Sequence, residues 1–119
     1  MVASVVVVTE DDVRRVALSL PETIEKPSYG TPGFRVNDVL FARIHEEPNV
    51  LVVWRESVGD RDALITESPA KFFTTPHYVG HTSVLVRLHK IDESELIELL
   101  TEAWDVRAPA RLRTEHHSG

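Results

Sequence analysis

The sequence predicts an α+β fold in which N- and C-terminal helices pack on one face of an antiparallel sheet. Three observations predict it: helical apolar stripes near both ends of the chain, a mostly extended middle joined by short connections, and no regular strand-helix-strand alternation. With 119 residues, 42% of them apolar, the chain suits one domain with a real core. That domain is expected over residues 9–113, after an N-terminal extension (1–8) and before a disordered tail (114–119).

The first helix is expected from Thr9 to Leu20. Thr9 is a good N-cap, Glu10, Asp11 and Asp12 complement the positive end of the helix dipole, and Pro21 stops it. Val13, Val16, Ala17 and Leu20 then form one apolar stripe. Phe34–Val36 and Val39–Ile44 read as strands joined by Asn37-Asp38, two residues that tolerate positive φ and so favour a tight hairpin. The glycines of Gly30-Thr31-Pro32-Gly33 read as a turn. After the loop His45–Asn49, Val50–Trp54 extends the meander. A short helix over Asp60–Thr66, a single turn opening at Ser68-Pro69 and a strand over Val84–His89 follow. In the last helix Asp92 is the cap, Glu95 completes a capping box, and Ile91 can staple against Leu96. Its stripe is Leu96, Leu99, Leu100 and Ala103, widened by Ile97 and Trp104, and Pro109 ends it.

The net charge of −6 hides an asymmetry. Residues 68–91 contain no acid and carry +3 from Lys71, Arg87 and Lys90; residues 106–114 carry +3 from Arg107, Arg111 and Arg113; the remainder therefore carries −12. Such a body repels polyanions everywhere except at these two patches. With no cysteine, disulfides and thiolate metal sites are excluded, and a reducing, cytoplasmic setting is expected. Met1–Val8 has neither the basic start nor the apolar length of a signal or a membrane span, so no membrane partner is expected.

No motif assembles a catalytic centre. The serines lack a G-x-S-x-G elbow, and Gly30–Gly33 lacks the Lys and Ser/Thr of a phosphate loop. Paired acids such as Glu46-Glu47 and Asp60-x-Asp62 read as solvated loop charges. His77 and His81 have the i, i+4 spacing of a helical metal pair, but Pro76 and Gly80 oppose a helix and no third ligand accompanies them, so a structured turn is expected. His116-His117 falls in the tail. No metal, no cofactor and no enzyme activity are expected.

The order of short motifs resembles the MmcQ/YjbR family, formerly a domain of unknown function. The residues that carry the resemblance are Leu20-Pro21, Tyr29-Gly30-Thr31-Pro32-Gly33-Phe34-Arg35-Val36, Val39-Leu40-Phe41-Ala42 and Pro76-His77-Tyr78-Val79-Gly80-His81. Val84-Leu85-Val86-Arg87-Leu88, Glu102-Ala103-Trp104 and Ala108-Pro109-Ala110-Arg111-Leu112 complete it, so that it covers Thr9 to Leu112. It implies a fold like that of the frataxin-type CyaY proteins, and the DNA-binding label that members carry because their arrangement is likened to a double wing. This chain departs from the pattern at Ala110, where relatives often have Lys, and at Thr82-Ser83, where some branches have a tryptophan.

Two functions follow as expectations. The first is weak DNA binding by a surface of His77, Tyr78, His81, Arg87, Lys90, Arg107 and Arg111, where cations would meet phosphate and Tyr78 would stack on a base. Three or four phosphate contacts would give a log-log salt slope of roughly −3, and the histidines would tighten binding toward pH 6. The second is a non-enzymatic small-ligand or protein-interaction domain using a concave sheet surface beside His77, Tyr78 and Trp54. The DNA reading requires the two basic segments to be neighbours in space.

Overall fold

Thr9 caps the first helix as its position before an apolar stripe predicts. In the computed structural model, which describes residues 7–118, α1 runs Glu10–Ser19. The Thr9 hydroxyl accepts from the Asp12 N–H at 3.3 Å, and the Asp12 carboxylate accepts from the Thr9 N–H at 2.9 Å, closing a capping box. The chain then forms β1 (Thr23–Ser28), β2 (Thr31–Val36), β3 (Val39–Ile44) and β4 (Val50–Trp54). After α2 (Val58–Glu67) come β5 (Phe72–Phe73), a 3₁₀ turn at Pro76–Tyr78, and β6 (Ser83–Arg87). A second 3₁₀ turn (Leu88–Lys90) leads into α3 (Glu93–Arg107) and α4 (Ala110–Ser118). The strands make one antiparallel sheet in the order β1-β2-β3-β4-β6-β5.

Alternation along the strands separates two faces. Leu51 and Val53 of β4 and Val84 and Val86 of β6 join Phe34, Val36, Ala42 and Ile44 in the main core, under α1 and α3. Val50 and Val52 of β4 and Leu85 of β6 point the other way, into a smaller cluster with Tyr78, against which Phe73 packs. The terminal helices thus cover one face, and the segment 72–82 partly covers the other. Trp104 is fully buried among the helices, and its indole Nε1–H donates to the Pro21 carbonyl at 3.0 Å, tying α3 to the end of α1. Arg55, buried just past β4, donates to Asp60 of α2 at 2.7 Å and to Glu102 of α3 at 2.8 Å.

The α+β class, the hairpin at Asn37-Asp38 (φ of 51° and 61°), β4 and the capping box of Asp92 with Glu95 are as the sequence predicts. Four local expectations are corrected. The turn assigned to Gly30–Gly33 lies earlier, at Tyr29-Gly30 (φ of 55° and 81°), and Thr31–Gly33 belong to β2. A Cβ on Gly33 would meet the Ser28 Oγ at 2.6 Å, so this glycine serves close cross-strand approach rather than a turn. The strand expected over Val84–His89 stops at Arg87 and gives way to the 3₁₀ turn. Ile97 is 45% exposed and does not widen the stripe of α3. Finally, the residues expected to be disordered from Thr114 continue α4 to Ser118, anchored by buried Leu112 and by the His116 ring 5.1 Å from that of Trp104. Of the N-terminal extension (1–8), residues 1–6 lie outside the described residues, while Val8 is buried in the core.

Candidate functional site

The open face of the sheet carries polar chemistry because β2 and β3 contribute arginines there. The ladder pairs Gly33 with Arg43 and Phe34 with Ala42, then shifts so that Arg35 pairs with Leu40. Phe41 is the extra residue of a bulge, and both it and Ala42 enter the main core. Leu40 and Arg43 therefore both lie opposite that core, beside Arg35, and line hollows on the open face.

Arg43 is buried, and its guanidinium ties three segments together. One terminal nitrogen donates to Glu46 at 2.8 Å and to the Thr31 hydroxyl and the Ile44 carbonyl at 3.3 Å each. The other donates to the Tyr78 hydroxyl. Partial burial pushes the Glu46 carboxyl up, but the Arg43 hydrogen bond, a backbone N–H and the nearby positive charges outweigh it and hold the group below its ordinary value. Arg61 of α2 fixes the other end of the segment: one of its nitrogens donates to the carbonyls of Tyr78, Val79 and His81 at 3.0, 3.0 and 2.8 Å. This clamp sets the imidazoles. The His77 ring meets Tyr78 edge-on at 5.2 Å between centroids, and stacks with His81 at 6.4 Å and 26° between planes.

These groups line a cavity of about 130 Å³, with Tyr29, Arg43 and Trp54 on one side and His77, Tyr78, His81 and Ser83 on the other. Tyr29 and Trp54 also border a shallower depression of about 580 Å³ that reaches Ser28, Arg35, Leu40 and Arg107. The two hollows form one concave surface. Tyr29 stands at its centre, 81% exposed, in the left-handed region at φ 55° that bulky side chains avoid. It is held there by its neighbours: Arg35 donates to the Ser28 hydroxyl at 3.0 Å, the Thr31 hydroxyl donates to the Ser28 carbonyl at 3.1 Å, and the Arg43 guanidinium lies 5.2 Å from the Tyr29 ring centre.

Of the residues expected from sequence, His77, Tyr78 and His81 come together, with Trp54, as the second functional expectation requires. Arg107 reaches the same surface, its guanidinium 5.4 Å from the Trp54 ring centre and its Nε–H donating to the Leu40 carbonyl at 3.1 Å. The other cations do not join them. Arg87 pairs in register with Val50, at the opposite end of β4 from Trp54, which is roughly 13 Å along the strand. There it lies over the Phe73 ring at 4.1 Å and donates to the Pro69 carbonyl at 3.3 Å. Lys90 is exposed in the following 3₁₀ turn, Lys71 is paired with Glu95 at 2.6 Å, and Arg111 with Glu22 at 3.3 Å. The cations of the two basic segments are thus not brought together at this hollow. Sequence reasoning missed Tyr29, Arg35, Arg43 and Arg61. A signal was present for two of them, since Arg35 and Arg43 interrupt otherwise apolar runs and a charge inside such a strand marks a second, non-core face. Tyr29 and Arg61 carried no such mark.

A family profile named YjbR matches residues 18–106. Uncharacterised proteins of Mycobacterium tuberculosis and Mycobacterium bovis are 36% identical to this chain over 121 residues, an alignment covering 87% of this chain and 92% of theirs. The crystal structure of a Deinococcus radiodurans protein with a domain designated DUF419 superposes with a TM-score of 0.71 at 22% identity, covering 90% of this chain and 86% of that one. The fold, the matched span and the shared sequence agree, and the chain belongs to the YjbR family.

Proposed function

We propose that this protein is a non-enzymatic binding domain whose small ligand enters the cleft between Tyr29, Trp54 and the His77–His81 segment. The observation that carries the proposal is convergence: Tyr29, Trp54 and Tyr78, far apart in sequence, border one hollow whose polar groups are held in place by Arg43 and Arg61. Ligand sites combine apolar and aromatic walls with a few fixed polar groups, and this cleft has that composition. The separation of Arg87 and Lys90 from Arg107, and the pairing of Arg111 and Lys71 with carboxylates, favour this reading over a DNA-binding surface.

Protein-observed NMR with a library of small polar aromatic compounds tests it. Perturbed amides are expected to cluster at Tyr29, Trp54 and residues 77–83. His77→Ala and His81→Ala, both at exposed positions, should weaken such binding about three- to tenfold with little change in melting temperature. Perturbations scattered over the surface, or affinities indifferent to both histidines, would remove the site.

A further inference from the structure

Among the described residues most arginines have a carboxylate partner: Arg14, Arg15, Arg43, Arg55, Arg61 and Arg111 are each within ion-pair distance of an acid. Arg35 and Arg107 are not, and they line the same depression. The Arg35 charge is met only by neutral acceptors, the Asp38 carbonyl at 3.2 Å and the Ser28 hydroxyl at 3.0 Å, while its Nε is buried without a partner. Arg107 donates only to the Leu40 carbonyl and lies beside the Trp54 ring. Burial pulls the Arg107 guanidinium below its ordinary value, with no carboxylate at hand to offset it. Asp38 also borders the depression, and its carboxylate faces Lys26 at 3.9 Å. Two partly desolvated guanidinium groups without counter-ions, next to two accessible aromatic rings, leave a positive field that a planar anion would complete.

We infer that the depression is an oxyanion subsite: Arg35 and Arg107 receive the carboxylate or phosphate of a small ligand whose planar part lies against Tyr29 and Trp54. This rests on the cleft being a binding site and adds the class of ligand. An aromatic carboxylate and a mononucleotide share this chemistry. A small anion also fits the acidic body better than a polyanion does, since it exposes only one or two charges to the surrounding negative field.

The test titrates the full chain with indole-3-carboxylate and adenosine 5′-monophosphate, and with their neutral counterparts indole-3-carboxamide and adenosine, following the Trp54 indole and Arg107 side-chain N–H resonances by NMR. At least one anion is expected to bind ten or more times more tightly than its neutral counterpart, and which of them does so separates carboxylate from phosphate. Arg107→Gln should remove that preference, weakening the anion far more than its neutral counterpart. Tyr29→Asn, placed where asparagine suits the backbone, should weaken both members of the pair. Equal binding of anion and neutral counterpart would overturn the oxyanion assignment and leave the cleft as a site. Binding of none of the four would overturn this inference, whereas the library screen above bears on the cleft separately. Tighter binding of a single-stranded oligonucleotide than of the mononucleotide would transfer the surface to nucleic acid and overturn it as well.

Discussion

Tyr29 is held in a backbone conformation that costs a bulky residue about 1 kcal/mol, with its ring in solvent. Nothing in the packing of the core requires it, so the strain serves the surface. Asparagine tolerates the left-handed region and, followed by Gly30, gives a favoured hairpin turn. Tyr29→Asn should therefore stabilise the fold by about 1 kcal/mol in urea denaturation, while ligand binding falls. A variant that is less stable than the parent would show that the ring contributes to packing. Glu46 supplies a second residue-scale expectation. Its folded-state value is lowered, so its contribution to stability is present above the unfolded value, which is near 4.5, and is lost as pH falls through the lower folded value. Glu46→Gln should be less stable than the parent at pH 7, by under about 1 kcal/mol because Glu46 is largely exposed, and the two should converge near pH 3. Urea midpoints at the two pH values decide it, and a gap that persisted or widened in acid would contradict the pairing with Arg43.

At the scale of elements, α4 shows where tertiary context exceeds local pattern. Pro109 ends α3 as expected, but its carbonyl also accepts from the N–H groups of Leu112 and Arg113, at 3.0 and 3.2 Å, and so opens the next helix. Of the polar residues 114–119, those through Ser118 are helical because Leu112 is buried and His116 meets Trp104, which the isolated segment cannot show. Leu112→Ala should accordingly cost about 3 kcal/mol and reduce helical circular dichroism, whereas a loss under 1 kcal/mol would mean that α4 is held by other contacts. The caps and stripes of α1 and α3 were legible because both signals are local: a polar cap, a box partner three residues on, and apolar residues at helical spacing. β1 was not. Thr23–Ser28 is an edge strand, mostly exposed and containing Pro27, so it lacks the alternation that one buried face imprints. The candidate site was half legible for the same reason. The turn carrying His77, Tyr78 and His81 announced itself by composition, whereas the position of Tyr29 depends on a hairpin that the sequence pattern hides.

The whole molecule is acidic, with Arg87 beside one end of β4 and Arg107 beside the other. An extended duplex would have to contact Arg87 and Arg107 at opposite ends of β4 while lying close to a body that repels it. Fluorescence anisotropy with duplex DNA at 50 and 200 mM salt is therefore expected to show no salt-dependent binding with a slope near −3. Binding with such a slope, abolished by Arg87→Ala or Arg111→Ala, would restore the nucleic-acid reading.

The bulge at Phe41 sets how the β2-β3 hairpin of this chain tolerates a change in length. Strand parity is counted in twos, so a one-residue change in the regular part of β3 exchanges the two faces beyond it, whereas loss of the bulged residue does not. Removing Phe41 would leave Leu40, Ala42 and Arg43 in regular alternation, with Leu40 still opposite Arg35 and Arg43 still opposite Gly33, so the open face would keep its side chains and the core would lose one buried ring. Chain length in this hairpin is thus restricted by the surface on either side of the bulge and by the core at the bulge itself, and a variant one residue shorter at Phe41 is expected to keep the concave face and lose core packing.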